Sequence, residues 1–159
     1  MSNPQFQQIL ADVRRFAEAA TNATALEEFC VSRMSENLPH YNWIGFYMLD
    51  RNEPGVLVLC PFRGAPTEHV RIPVTEGICG AAVAQGNTII INDVTSDPRY
   101  LACSLETKSE IVVPIRAGAE IVGEIDVDSH SRSAFGPDDR VFLEECAAIV
   151  GDYIAEHRD

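Results

Sequence analysis

Long apolar runs, basic residues and paired metal-binding motifs are what this chain has least of, and each shortage removes a class of function. No segment approaches the ~18 consecutive apolar residues that a membrane-spanning helix needs. The first residues, MSNPQFQQILADVRRF, contain no basic region followed by an apolar stretch, so no export signal is expected and the protein is read as cytoplasmic. Lysine and arginine total 12 against 24 aspartates and glutamates, a net charge of -12. Nucleic acid and anionic membrane would both be repelled, and neither is expected as a partner. There is no Cys-x-x-Cys pair and no histidine close in sequence to a cysteine, so no metal site is expected. Five cysteines, an odd number in a chain without an export signal, argue against a disulfide framework. Core packing and redox chemistry are the uses left for the thiols.

What is present fits one domain spanning residues 1–159, long enough to bury a core. Phe6, Ile9, Leu10, Val13 and Phe16 follow helical spacing, with Asn3 as a cap and Pro4 at the first helical position. A second helix is expected to begin at Thr24, with Glu27 completing a capping box, and to close at Pro39. Cys30 falls on its apolar stripe. Asn42 to Leu49 and Val56 to Phe62 read as strands joined by a turn. Both faces of the first are apolar, with Trp43, Gly45 and Tyr47 on one side and Ile44, Phe46 and Met48 on the other. That strand is expected at the centre of a sheet covered on both sides.

A short extended piece follows over Val70 to Val74, then a small helix from Ile78 to Gln85 ended by Gly86, and a strand from Thr88 to Asn92. Asp93 to Ser109 reads as a long loop, of a length that is usually functional. Glu110 to Ile115 and Glu120 to Asp128 form a hairpin, and a last helix starts at Gly136-Pro137 with acids in its first turn. Cys146 lies on the buried side of that helix. Strands joined mainly by hairpins, with helices at the two ends of the chain, imply the α+β class: an antiparallel sheet with helices on one face.

Two cysteines and a row of acids could carry chemistry. Cys103 lies in a polar loop and has little structural reason to be there, so it is the candidate reactive thiol. Cys79 sits at a tight helix start; it is either a small apolar filler or a thiol whose ionisation the helix dipole favours. Cys60, within a strand, could face either side. Glu124, Asp126 and Asp128 alternate along the final strand and share a face, with Glu110 on the neighbouring hairpin strand. They form either a solvated acidic row or converging carboxyls, which could bind an ammonium group and keep one acid protonated near neutral pH.

Taken together, the runs NWIGFYML, VRIPVTEGICGAAVA, LACSLETKSEIVVPI and VGEIDVDS resemble the GAF-domain free methionine-R-sulfoxide reductases, over about Phe6 to Ile154. The resemblance implies a six-stranded antiparallel sheet with helices packed on one face, commonly in a homodimer. It implies reduction of free methionine-R-sulfoxide without a cofactor, sustained by a thioredoxin-type reductant. Cys103 falls at the family's catalytic cysteine and Cys79 at a cysteine able to resolve the sulfenic acid. Glu110, Asp126 and Asp128 match the acidic pocket residues, and Trp43 and Tyr47 the aromatic wall. One position departs: His69 stands where many members carry a third cysteine. Resolution then falls to Cys79 or to Cys60, or turnover is lost. A GAF domain that only binds a small ligand, and a thiol redox sensor, are the other readings.

Overall fold

The computed structural model describes residues 3–100 and 106–157. Four helices, α1 (Pro4–Ala19), α2 (Ala23–Asn37), α3 (Gly77–Gln85) and α4 (Pro137–Glu156), accompany six strands. The strands are β1 (Trp43–Leu49), β2 (Val56–Arg63), β3 (Arg71–Pro73), β4 (Ile89–Ile91), β5 (Ser109–Ala117) and β6 (Glu120–Ser129). They form one sheet in the order β3-β2-β1-β6-β5-β4, and every described pairing is antiparallel. The expected sheet and its hairpins are therefore present. Among the described residues the long loop contains one 3-10 turn, Val94–Ser96, and its end is the first residue of β5.

Local chemistry accounts for the ends of the helices. Asn3 Oδ1 accepts hydrogen bonds from the amides of Gln5 (2.8 Å) and Phe6 (3.3 Å), which caps α1 as expected. At α2 the expectation is corrected. The cap is Asn22, whose Oδ1 accepts from the Ala25 amide at 2.8 Å, and Thr24 lies inside the helix. Glu27 makes no capping contact. It is buried on the inner face of α2, where desolvation raises its carboxyl to about pH 7. At α4, Asp139 closes the first turn by accepting from the Gly136 amide (3.0 Å), and it also accepts from the Tyr41 hydroxyl (2.7 Å).

The sheet separates two apolar clusters. On one face α1, α2 and α4 pack over Ile44, Phe46, Ile111, Val113, Ile125 and Val127, and this layer holds Cys30 and Cys146, both fully buried. Both are inert core thiols, as expected. Cys60 packs against the same layer. The opposite face carries a smaller cluster in which the short helix α3 lies over Trp43, Tyr47, Leu57 and Val112. Three helices thus cover one face, and α3 alone crosses the other.

The close approach of α3 depends on Gly80. A Cβ there would lie 2.8 Å from the Val74 carbonyl oxygen, so any larger residue would lift the helix off the turn that precedes it. Residue 79 is the neighbour whose position this contact sets.

Candidate active site

Strand register decides which side chains face α3. Directly opposed residues in an antiparallel pair point to the same side of the sheet. Trp43 is opposite Asp128, Gly45 opposite Asp126 and Tyr47 opposite Glu124. On the far side of β6, Glu110 is opposite Asp128 and Val112 opposite Asp126. The alternating acids of β6 therefore lie between an aromatic strand and the first acid of β5. They face the short helix and are withdrawn from solvent: Glu124 is 0% exposed, Asp126 and Asp128 1%, and Glu110 3%. The reading of this row as a solvated surface is excluded.

Trp43 stacks with Tyr47 at a ring-centroid distance of 6.2 Å and with Phe62 at 5.6 Å. The Trp43 indole N–H donates to the Ala65 carbonyl (3.0 Å), and the Tyr47 hydroxyl donates to the His69 carbonyl (2.8 Å). These bonds tie the aromatic wall to the 64–70 segment. His69 is consequently a wall residue, lining the same small cavity as Tyr47, Cys79, Glu110 and Asp126. That cavity measures about 10 Å³, room for roughly one water molecule.

Cys79, in the first turn of α3, points into this acidic face. Its Sγ lies 3.5 Å from Asp126 Oδ2, close enough for the thiol to donate to the carboxyl. The expectation that the helix dipole favours a thiolate is corrected here. Burial pushes the Cys79 thiol well above its ordinary value, and the negative charges of Asp126, Glu124 and Glu110 push it further. A partial charge at a helix end is outweighed by desolvation with three acids at hand. Cys79 is a neutral thiol at physiological pH.

The acids shift in the same direction. Burial raises Glu124 well above the carboxylate range, and the charge of Asp126 adds to this. Asp126 and Asp128 titrate together; burial raises both, and Asp126 further raises Asp128. No lysine or arginine among the described residues forms an ion pair with Glu124, Asp126 or Asp128. Like charges buried without a counter-cation cannot all ionise, so the cluster retains protons near neutral pH. It can donate a proton to an oxygen and, once ionised, accept a cation.

Of the expected site residues, Trp43, Tyr47, Glu110, Asp126, Asp128 and Cys79 are brought to one face. Cys103 lies outside the described residues. Cys60 lies on the other side of the sheet with Glu27 and Met48, beside a roomier cavity of about 770 Å³. That cavity is remote from the acids and contributes nothing to their chemistry. The sheet separates Cys60 from Cys79 and the buried acids. Glu124 faces the same side, as the alternating row led one to expect, although the resemblance assigned only Glu110, Asp126 and Asp128 to the pocket.

A six-stranded antiparallel sheet with a short helix over an enclosed polar face defines a GAF domain, and the GAF domain family matches residues 5–154. Comparisons narrow this. The chain is 36% identical to Protein YtsP of Bacillus subtilis, over 95% of this chain and 91% of that protein. It is equally 36% identical to the free methionine-R-sulfoxide reductase of Escherichia coli, over 96% of this chain and 86% of that enzyme. The X-ray structure of the free methionine-R-sulfoxide reductase from Neisseria meningitidis in complex with its substrate superimposes with a TM-score of 0.89. Identity there is 31%, covering 98% of this chain and 92% of that one. The chain belongs to the GAF-domain free methionine-R-sulfoxide reductase family.

Proposed function

We propose that this protein reduces free methionine-R-sulfoxide to methionine, using Cys103 as the attacking thiol and Cys79 as the resolving thiol. The observation that carries the reading is the convergence of Cys79 with buried, partly protonated carboxyls beside an aromatic wall, in a chain of this family. The Cys103 thiolate attacks the sulfoxide sulfur while a protonated carboxyl of the Glu110, Asp126 and Asp128 set gives its proton to the departing oxygen. The S–S bond so formed breaks as the hydroxyl passes to the Cys103 sulfur; methionine leaves, and Cys103 holds the oxygen as a sulfenic acid. The Cys79 thiol then condenses with it, forming a disulfide and releasing water. A thioredoxin-type dithiol supplies the two electrons and two protons that restore both thiols.

The remaining carboxylate charge pairs with the substrate ammonium group, and Trp43 with Tyr47 supports the apolar side chain. A neutral Cys79 suits the resolving role. It does not compete for the sulfoxide as a nucleophile, and it loses its proton only when the disulfide forms. Residence in the cytoplasm, a homodimeric assembly and a role in oxidative stress complete the reading. The test is a single turnover without reductant. Pre-reduced protein mixed with free methionine-R-sulfoxide should release one methionine per chain and lose two hydrogens in mass as the Cys79–Cys103 bridge forms. Methionine release that never exceeds the background of a cysteine-free variant would refute it.

A further inference from the structure

We propose that Cys79, Glu110 and Asp126 form a binding site for a thiophilic divalent cation of the zinc class. One donor atom from each of the three residues lies within 4.8 Å of the other two, and all three side chains are buried. The Cys79 Sγ to Asp126 Oδ2 separation is 3.5 Å. A tetrahedral zinc with Zn–S near ~2.3 Å and Zn–O near ~2.0 Å requires an S···O edge of about 3.5 Å. The two donors are already spaced for such an ion.

Two further observations point to a cation. Among the described residues the buried Asp126 Oδ1 has no hydrogen-bond partner, and Asp126 lines the cavity. Cys79, Glu110 and Asp126 all line that cavity of about 10 Å³, so the three donors border one small enclosed space. The donor set also selects the metal. A thiol disfavours magnesium and calcium, which prefer oxygen alone, and favours zinc over them. On binding, Zn²⁺ replaces the proton of the Cys79 thiol, forming a Zn–S bond and releasing H⁺, with further protons released from whichever of Glu110 and Asp126 holds one. Nothing is oxidised or reduced.

The consequence for turnover rests on the proposed reductase reading. A Cys79 sulfur held by zinc cannot condense with a sulfenic acid, and the ion occupies carboxyls that would meet the substrate ammonium. Zinc at this position is an inhibitor that acts in the reduced protein.

Binding is measured without substrate, so that it stands or falls apart from the reductase reading. Reduced, metal-free protein is titrated with Zn²⁺ against a chromophoric chelator, and separately with Co²⁺. The expected results are one tight site per chain and a thiolate-to-cobalt charge-transfer band in the near ultraviolet. Cys79→Ser should abolish the band and weaken zinc by more than about 100-fold, the upper end of what loss of a supporting residue outside the ligand sphere costs. Asp126→Asn should weaken it at least about tenfold, and Cys60→Ser, on the other face of the sheet, should leave it unchanged. Equal affinity in Cys79→Ser, or a cobalt complex of the unsubstituted protein without the charge-transfer band, would overturn the proposal. The cobalt spectrum needs no variant to fold. Zinc bound through Cys79 in a protein that shows no sulfoxide turnover would uphold the site and reject the reductase reading.

Discussion

The Cys79 sulfur lies 3.5 Å from the Asp126 carboxyl, joining the first turn of α3 to the middle of β6 across the buried face of the sheet. Burial is the main reason this thiol stays protonated, and Asp126 is the next. In Asp126→Asn the negative neighbour is removed while burial persists. The midpoint pH for alkylation of Cys79 should fall relative to the parent yet remain above the ordinary thiol range. Mass-resolved alkylation across pH checks this, and an unchanged midpoint would show that the acid has no influence on the thiol.

Cys60 provides a control that separates the two faces of the sheet. It packs with Glu27 and Met48 against the helical layer, so Cys60→Ser should leave both turnover rate and disulfide formation within about twofold of the parent, as expected for a site with no shared partners. Steady-state assays and peptide mapping of the oxidised protein check this. A stalled cycle in Cys60→Ser would mean that resolution passes through the other face.

Glu27 predicts a specific pH dependence of stability. Its carboxyl titrates near 7 in the folded chain against an ordinary value of 4.5. Between those values the folded state holds a proton that the unfolded state has lost, so stability falls as pH rises through this window. At about 1.4 kcal/mol per pH unit the loss is a little over 3 kcal/mol by pH 8, as an order of magnitude. Glu27→Gln should flatten this slope between pH 4.5 and 7 and raise the midpoint of thermal unfolding at pH 8. Thermal unfolding monitored by circular dichroism at several pH values measures it. An unchanged slope would contradict the buried, raised carboxyl.

Gly45 leaves room for the aromatic wall. A Cβ at this position would overlap the Trp43 ring, lying 2.7 Å from Cζ3. Gly45→Ala should displace the indole, costing about 1–3 kcal/mol as overpacking and raising KM more than it lowers kcat. Trp43 fluorescence, urea unfolding and steady-state kinetics report the three effects; Trp43 is the sole tryptophan in the chain.

Much of this arrangement was legible in the sequence because period-two patterning is a strong signal. The alternation of Trp43, Gly45 and Tyr47 with Ile44, Phe46 and Met48 gave both faces of the central strand, and the β6 alternation placed Asp126 and Asp128 together. What patterning does not convey is the state of a residue after burial. The helix-dipole argument for Cys79 considered only local chain geometry, whereas the deciding influences come from β5 and β6, far away in sequence. Thr24 and Glu27 satisfied the spacing of a capping box, yet Asn22 won the cap and tertiary packing drew Glu27 inward. The side of the sheet that Cys60 occupies depends on the β1–β2 pairing, which shifts register between Gly45 and Tyr47 and so could not be counted from the chain alone.

The most direct test is stereospecific turnover. Purified protein is given free methionine-R-sulfoxide or free methionine-S-sulfoxide with a thioredoxin system, and reductant consumption is followed for the parent and for Cys103→Ser. The proposed function predicts sustained turnover of the R epimer alone, abolished in Cys103→Ser. Equal rates for the two epimers, or no turnover of either, would contradict it.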